Sequence, residues 1–223
     1  MAHKVLPPIR LVDEAAENSG TVLPSFTFAP FAGRTPLDEV KTDLVLVTKL
    51  YRHDIPAALH VSEPSVADAL RVTIKEEFAG KRGEVHLLQS SLPNSQGEQG
   101  RYILLYGLGT EQSYRSRITC ELFESFFQHA LELGVSHVVV PFIPNPMTKT
   151  QMSHRSTAFK MKDCLRRVLR KWQGPVALTE VMIYCTPAAV RHIEAALQIE
   201  LPEQHGCACE TPDTKKSKAK RGS

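Results

Sequence analysis

The sequence predicts an α/β domain of three layers, helix on sheet on helix, around a mixed, mainly parallel sheet. Two observations carry this. Short apolar runs bounded by Gly, Pro, Asn and Ser, such as EVHLLQ and RYILLYG, read as buried strands. Between them and SHVVVPF lies Tyr114 to Gly134, where Ile118, Leu122, Phe123, Phe126, Phe127, Ala130 and Leu131 fall on one helical stripe that Gly134 ends. Strand, crossover helix and strand in that order form a right-handed parallel unit.

Taken in order, residues 1–38 are Pro-rich and form an N-terminal extension expected to wrap onto the domain. In it Phe26 and Phe28 alternate as in a short edge strand. DLVLVT, Asp43 to Thr48, is the first clear strand. A helix follows over about 65–78, opened by Ser62, Glu63 and Pro64, and Gly80 and Gly83 close the turn after it. Strands over 84–89 and 102–106 flank the polar loop SSLPNSQGEQG, which has a hairpin-like length. After SHVVVPF comes IPNPMTKTQMSHRS, a Pro- and Thr-rich loop at the carboxyl end of a central strand. The helix over about 157–172 then places Met161, Leu165, Val168, Leu169 and Trp172 on one face. EVMIYC, Glu180 to Cys185, is the last strand. The final helix, Pro187 to Leu197, packs through Ala188 to Val190, Ile193, Ala196 and Leu197. The domain is thus expected over 39–200, with a disordered basic tail over 201–223.

With 223 residues, 42% of them hydrophobic, the chain can bury one sizeable core and hardly two. No run of about 18 apolar residues occurs, and the N-terminus lacks the apolar core of a secretory signal. A cytoplasmic chain without membrane contact is expected. Five cysteines without a disulfide-like spacing agree with a reducing compartment. Of the net charge of +3, the stretch from Pro202 holds +2, set by Lys215, Lys216, Lys218, Lys220 and Arg221 against Glu203, Glu210 and Asp213. Such a run is ordinarily a solvated tail.

The words GKRGE, ILLYGLGTE and ALELGVSHVVVPF, in this order of elements, resemble the N-terminal domain of the leucyl aminopeptidase family, which has a macro-domain-like fold. The likeness in element order runs from about Thr42 to Leu197 and in words from Gly80 to Phe142. In those aminopeptidases the two metal ions and the catalytic residues belong to a separate C-terminal domain, and no segment here resembles its metal-binding words such as NTDAEGR. The resemblance therefore implies a non-catalytic binding or regulatory module, with a protein partner, another copy of the chain or nucleic acid as its contact. It also implies an alternative, since macro-like domains commonly bind ADP-ribose or a related nucleotide at their strand ends. Two features depart from that second pattern. The loop after DLVLVT, LYRHDIPAALHVSEP, has no GGG-like run, and in PNPMTKT prolines stand where glycines would let backbone N–H groups approach a diphosphate.

Three places carry candidate chemistry. In open α/β sheets ligands bind outside the carboxyl ends of the strands, which points to Ile143, Asn145, Thr148 and Thr150 ahead of a helix N-terminus. On the helix that follows, Lys160, Lys162, Arg166, Arg167, Arg170 and Lys171 face one acid, Asp163. Six cations so close repel one another unless solvated or matched by a polyanion, so Lys160, Arg166, Arg167, Arg170 and Lys171 are candidates for polyanion contact. Some bacterial aminopeptidases of the resembled family are associated with DNA through this domain. Gly107-Leu-Gly109 lacks the third glycine of a dinucleotide fingerprint and reads as a tight strand-to-helix connection. His205, Cys207 and Cys209 are close enough to chelate a soft metal but lack a fourth ligand. No GxSxG elbow is present, and no cofactor, metal or catalytic residue is expected.

One outcome follows directly. The purified chain should release no leucine chromophore with added zinc or manganese, because nothing here resembles the two-metal site that would activate a water. Metal-dependent release that survives removal of contaminating peptidases would overturn this.

Overall fold

Apolar residues recur at period two in some stretches and at period 3.6 in others, and strands and helices alternate accordingly. The computed structural model describes residues 9–11, 22–30, 40–52, 64–110, 116–141 and 154–199. In chain order these form β1 (Ile9–Leu11), β2 (Ser25–Pro30), β3 (Leu44–Leu50), α1 (Pro64–Glu76), β4 (Val85–Gln89), β5 (Tyr102–Gly109), α2 (Ser116–Glu132), β6 (His137–Pro141), α3 (His154–Lys171), β7 (Glu180–Cys185) and α4 (Pro187–Leu197). The strands make one sheet of seven in the order β1-β2-β7-β6-β3-β5-β4. The five inner strands run parallel, while β1 and β4 at the two edges run antiparallel to their neighbours.

Successive side chains of a strand point to opposite faces, so a strand covered on both faces reads as a continuous apolar run. β3 is such a strand, buried at every residue. Leu44 and Leu46 join the core under α2, α3 and α4, with Phe26, Phe28, Leu104, Val138 and Ile183. Val45 and Val47 face the other way, against Leu70 of α1 and Phe78, with Ile103 and Leu105 of β5. On the first face Phe126 and Phe127 of α2 are in tilted ring contact, centroids 5.4 Å apart, and each contributes about 2 to 3 kcal/mol by leaving water. This is the three-layer architecture with a mixed, mainly parallel sheet that the sequence predicts.

The Pro-rich opening holds more regular structure than its composition suggests. Phe26 and Phe28 lie on β2, which is not an edge: it pairs with β7 from Ser25↔Glu180 to Pro30↔Cys185 and with β1 on its other side. The edge is the three-residue β1, too short to offer much open backbone. Between β4 and β5 the expected hairpin forms, with Val85 opposite Tyr106 and Gln89 opposite Tyr102. Asn94 shapes its loop by accepting bonds from the N–H groups of Gln96 and Glu98 at 3.0 and 2.9 Å. Among the described residues no helix is long and apolar enough to cross a membrane.

Gly107 shows what the GLG word does. Gly83 N–H donates to Gly107 O at 3.0 Å and Gly107 N–H to Glu84 O at 2.8 Å, so the turn after α1 lies flat on the end of β5. A Cβ on Gly107 would stand 1.9 Å from the Lys81 carbonyl oxygen. The glycine is needed for close backbone approach.

Gly83 of this turn and Gly107 of the strand beneath it separate two physical effects. Gly83 has a φ of +73° and open space around a built Cβ, so Gly83→Ala should cost about 1 to 2 kcal/mol, the strain of the left-handed region alone. Gly107→Ala, forced into backbone, should cost more than about 3 kcal/mol. Urea unfolding of the two variants checks this, and equal costs would contradict it.

Candidate functional site

The parallel strands all end on one side of the sheet, the carboxyl pole. β3 and β6 are neighbours in the sheet, paired at the start of β3 with Leu44 beside Val138 and Val45 beside Val139. The helix after β3 packs on one face and the helix after β6 on the other. Where connections leave adjacent strands toward opposite faces, a crevice opens between them. After β5, β6 and β7 the helices α2, α3 and α4 begin at this same pole, and none carries an acidic residue in its first turn. Three helix N-termini with no acidic residue in their first turns present positive dipole ends here, which favours an anion. At the first position of α3, burial and then the nearby His192 lower the pKa of His154 and favour the neutral ring.

The candidate ligand residues Ile143, Asn145, Thr148 and Thr150 lie outside the described residues, between Pro141 at the end of β6 and His154 at the start of α3. His205, Cys207 and Cys209 also lie outside them.

The basic face expected on α3 is corrected by burial. Lys160 and Arg166 are each 7% exposed and Lys162 is 3% exposed. Lys162 Nζ donates to the Leu197 carbonyl at 2.5 Å and the Ile199 carbonyl at 3.3 Å, so this cation closes the C-terminus of α4, where the helix dipole is negative. Arg167 pairs across to Glu124 of α2 at 2.5 Å and with Asp163 at 3.2 Å, and Arg166 lies 3.7 Å from Asp163. Arg170 and Lys171, at the end of α3, are exposed. The charge count suggests a solvated stripe, whereas α3 is wedged between α2 and α4 and uses Arg167 to bind the first and Lys162 to bind the second.

The opposite, amino pole holds a polar cluster that the sequence does not single out. Asp43, just before β3, accepts the backbone N–H groups of Ser95 at 2.9 Å, Ser136 at 3.0 Å and His137 at 2.9 Å, and the Ser136 hydroxyl at 3.0 Å. Burial alone would raise its pKa, but the donors on Ser95, His137 and Ser136 outweigh this and lower it from 3.8 to about 2. His137 stands beside the knot, its Nδ1 2.8 Å from Ser136 Oγ and its Nε2 3.6 Å from Glu180 Oε2, while Thr27 Oγ1 donates to Glu180 Oε1 at 2.6 Å. A cavity of about 230 Å³ opens here between Lys41, Ser95, His137, Val139, Glu180 and Met182. His137 and Glu180 are already engaged with each other and with Ser136 and Thr27, which suits a structural clasp joining β2, β3, β6 and β7. The spacing of Asp43 from Ser136 in sequence left no local signal for this contact.

The Asp43 knot sets an acid limit. A carboxyl whose pKa falls on folding stabilises the fold above its ordinary value, and that stabilisation is lost as pH falls through the folded value. For Asp43 the window runs from 3.8 down to about 2. Asp43→Ala should cost about 3 kcal/mol at neutral pH, since three N–H groups lose their acceptor, and the difference from wild type should shrink across that window. Urea unfolding at pH 7, 4 and 2.5 checks it, and a difference that stays constant with pH would contradict the assignment.

No family model matches the chain, and no curated protein matches it in sequence. Solved structures do match it in fold. The Oceanobacillus iheyensis macrodomain with ADP aligns at a TM-score of 0.56 and 14% identity, covering 86% of this chain and 95% of that one. A mutant of the same macrodomain with ADPR aligns at 0.53 and 13%, covering 86% and 97%. The Trypanosoma brucei macrodomain in complex with ADP aligns at 0.55 and 14%, covering 77% of this chain and 68% of that one. At such identities the likeness concerns the fold, which is macro-domain-like.

Proposed function

We propose that the chain is a macro-like binding domain for ADP-ribose or a related nucleoside diphosphate, held over the carboxyl ends of β3 and β6. One observation carries the reading: three helices start at that pole without an acidic residue in their first turns, beside the crevice between two strands whose connections diverge. An anionic ligand there meets backbone donors and dipoles of the sign it needs. The similar macrodomains hold ADP or ADPR, which supports the same ligand class.

The prolines of PNPMTKT bear on how the diphosphate would be held. Pro144 and Pro146 have no N–H to give. The donation falls to side chains, with Asn145, Thr148 and Thr150 able to give hydrogen bonds, while Ile143 offers apolar contact to a base or ribose. The reading as a non-catalytic module that contacts a protein or nucleic acid keeps only Arg170 and Lys171 as exposed cations of α3 among the candidates, and so has less to stand on.

Calorimetric titration with ADP-ribose is the test. Binding should be measurable, and Asn145→Ala and Thr148→Ala should each weaken it at least tenfold, about 1.4 kcal/mol. Arg170→Gln with Lys171→Gln should leave it unchanged. No heat and no thermal shift at millimolar ADP-ribose would remove the nucleotide reading in favour of the partner-binding module. Loss on removing Arg170 and Lys171 alone would move the site to the end of α3.

A further inference from the structure

Two residues past Leu50, the last of β3, the backbone enters the left-handed region at an arginine. Arg52 has a φ of +62°, and at the six other described positions with positive φ stands a glycine. A Cβ in this region crowds the carbonyl that follows it, a cost that glycine avoids. The fold thus uses glycine wherever else it turns this way and carries a long cation here.

The fold gains little from that side chain. The Arg52 N–H lies 3.5 Å from the Ala79 carbonyl, a weak bond that any residue except proline could make. The side chain is exposed, and its guanidinium carbon stands 5.1 Å from the centroid of the Tyr51 ring. Tyr51 itself is half-buried and fixed by its N–H, which donates to the Gly109 carbonyl at 2.8 Å. Among the described residues no carboxylate pairs with Arg52. Arg82 and Arg117, in the turn after α1 and the first turn of α2, both bind Glu121. Strained backbone of this kind clusters at ligand clamps, where the side chain it presents is put to use. A guanidinium resting on a ring has lost part of its rotamer freedom before a ligand arrives, and its N–H donors stay free for phosphate oxygens.

We propose that Arg52, positioned by Tyr51, is a phosphate-binding residue of the carboxyl pole and pairs with the diphosphate of the ligand held over β3 and β6. This rests on reading that pole as a nucleoside diphosphate site. A helix N-terminus offers about half a charge, whereas a guanidinium offers a whole one with two parallel N–H bonds. Arg52 therefore supplies charge that Pro144 and Pro146, without N–H groups, cannot replace.

The variant Arg52→Gly separates fold from ligand, because it relieves the backbone while removing the charge. Its urea midpoint should equal or exceed that of wild type, while its Kd for ADP-ribose rises about tenfold or more. Arg52→Lys keeps the charge without the fork and should fall between the two. Between about 50 and 300 mM salt the wild-type Kd should rise more steeply than that of Arg52→Gly, a readout that a change of loop shape alone would not move. Tyr51→Phe keeps the ring face and should bind as wild type does, and Tyr51→Leu should bind more weakly. Wild-type binding that Arg52→Gly leaves unchanged would overturn this inference and leave the nucleotide reading in place. A lower urea midpoint in Arg52→Gly, or equal salt dependence in the two proteins, would assign Arg52 to the fold and overturn it too. No ADP-ribose binding by wild type at low salt would remove the nucleotide reading and this inference together.

Discussion

β3 is buried along both faces, paired with β5 along one edge and with β6 at Leu44 and Val45 on the other, and a strand so enclosed must have its ends closed as well. The rest of the domain follows from how this is done. At the amino end the Asp43 carboxylate gathers the N–H groups of Ser95, Ser136 and His137, so the hairpin loop and the start of β6 are fixed to the start of β3. At the carboxyl end Lys49, itself 5% exposed, donates to the Ala79 carbonyl at 2.9 Å and lies 5.9 Å from the Phe78 ring. Gly109 N–H bonds Gly80 O there at 3.0 Å, and Tyr51 N–H bonds Gly109 O at 2.8 Å. At the amino pole the polar side chains satisfy each other around the cavity beside His137 and Glu180. At the carboxyl pole β3 and β6 end, with α1 packed on one face of the sheet and α3 on the other.

The charges on α3 show how a helix between two others handles cations. Burying a cation costs several kcal/mol unless it is paired or hydrogen-bonded. Lys162 meets that cost at the carbonyls that end α4, where three or four C=O groups have no helical partner. Arg167 meets it with Glu124, Asp163 and the Cys164 sulfur. The long apolar stems of these residues pack in the seams while their heads find acceptors. Arg101 repeats the solution on the far side of the sheet: 1% exposed, it donates Nε to the Pro93 carbonyl at 2.8 Å and holds the hairpin loop.

Periodicity made most of the elements legible. β7 and α4 match their expected limits residue for residue, and α2 and β4 lie within two residues of theirs. The signal failed where pattern and pairing diverge. Three residues, Ile9 to Leu11, are too few for alternation to register, yet pairing with β2 makes them a strand and turns Phe26 and Phe28 inward. The face of α3 failed for a different reason: residue charge says nothing of whether a carbonyl or carboxylate waits on the neighbouring helix. The Asp43 knot joins residues far apart in the chain, and no local pattern marks it. For the candidate site the sequence supplied the pole, through the rule for strand ends, and four residues next to β6. The absence of acids from the first turns of α2, α3 and α4 was there to be read and gained its meaning only once those helices shared a pole.

The central claim is that the two poles divide the work, the amino pole holding the fold and the carboxyl pole taking the ligand. A crystal structure of the chain grown with ADP-ribose tests it most directly. The account predicts ligand density across the carboxyl ends of β3 and β6, with the diphosphate toward the start of α3. Density instead in the amino-pole cavity between His137 and Glu180 would contradict it.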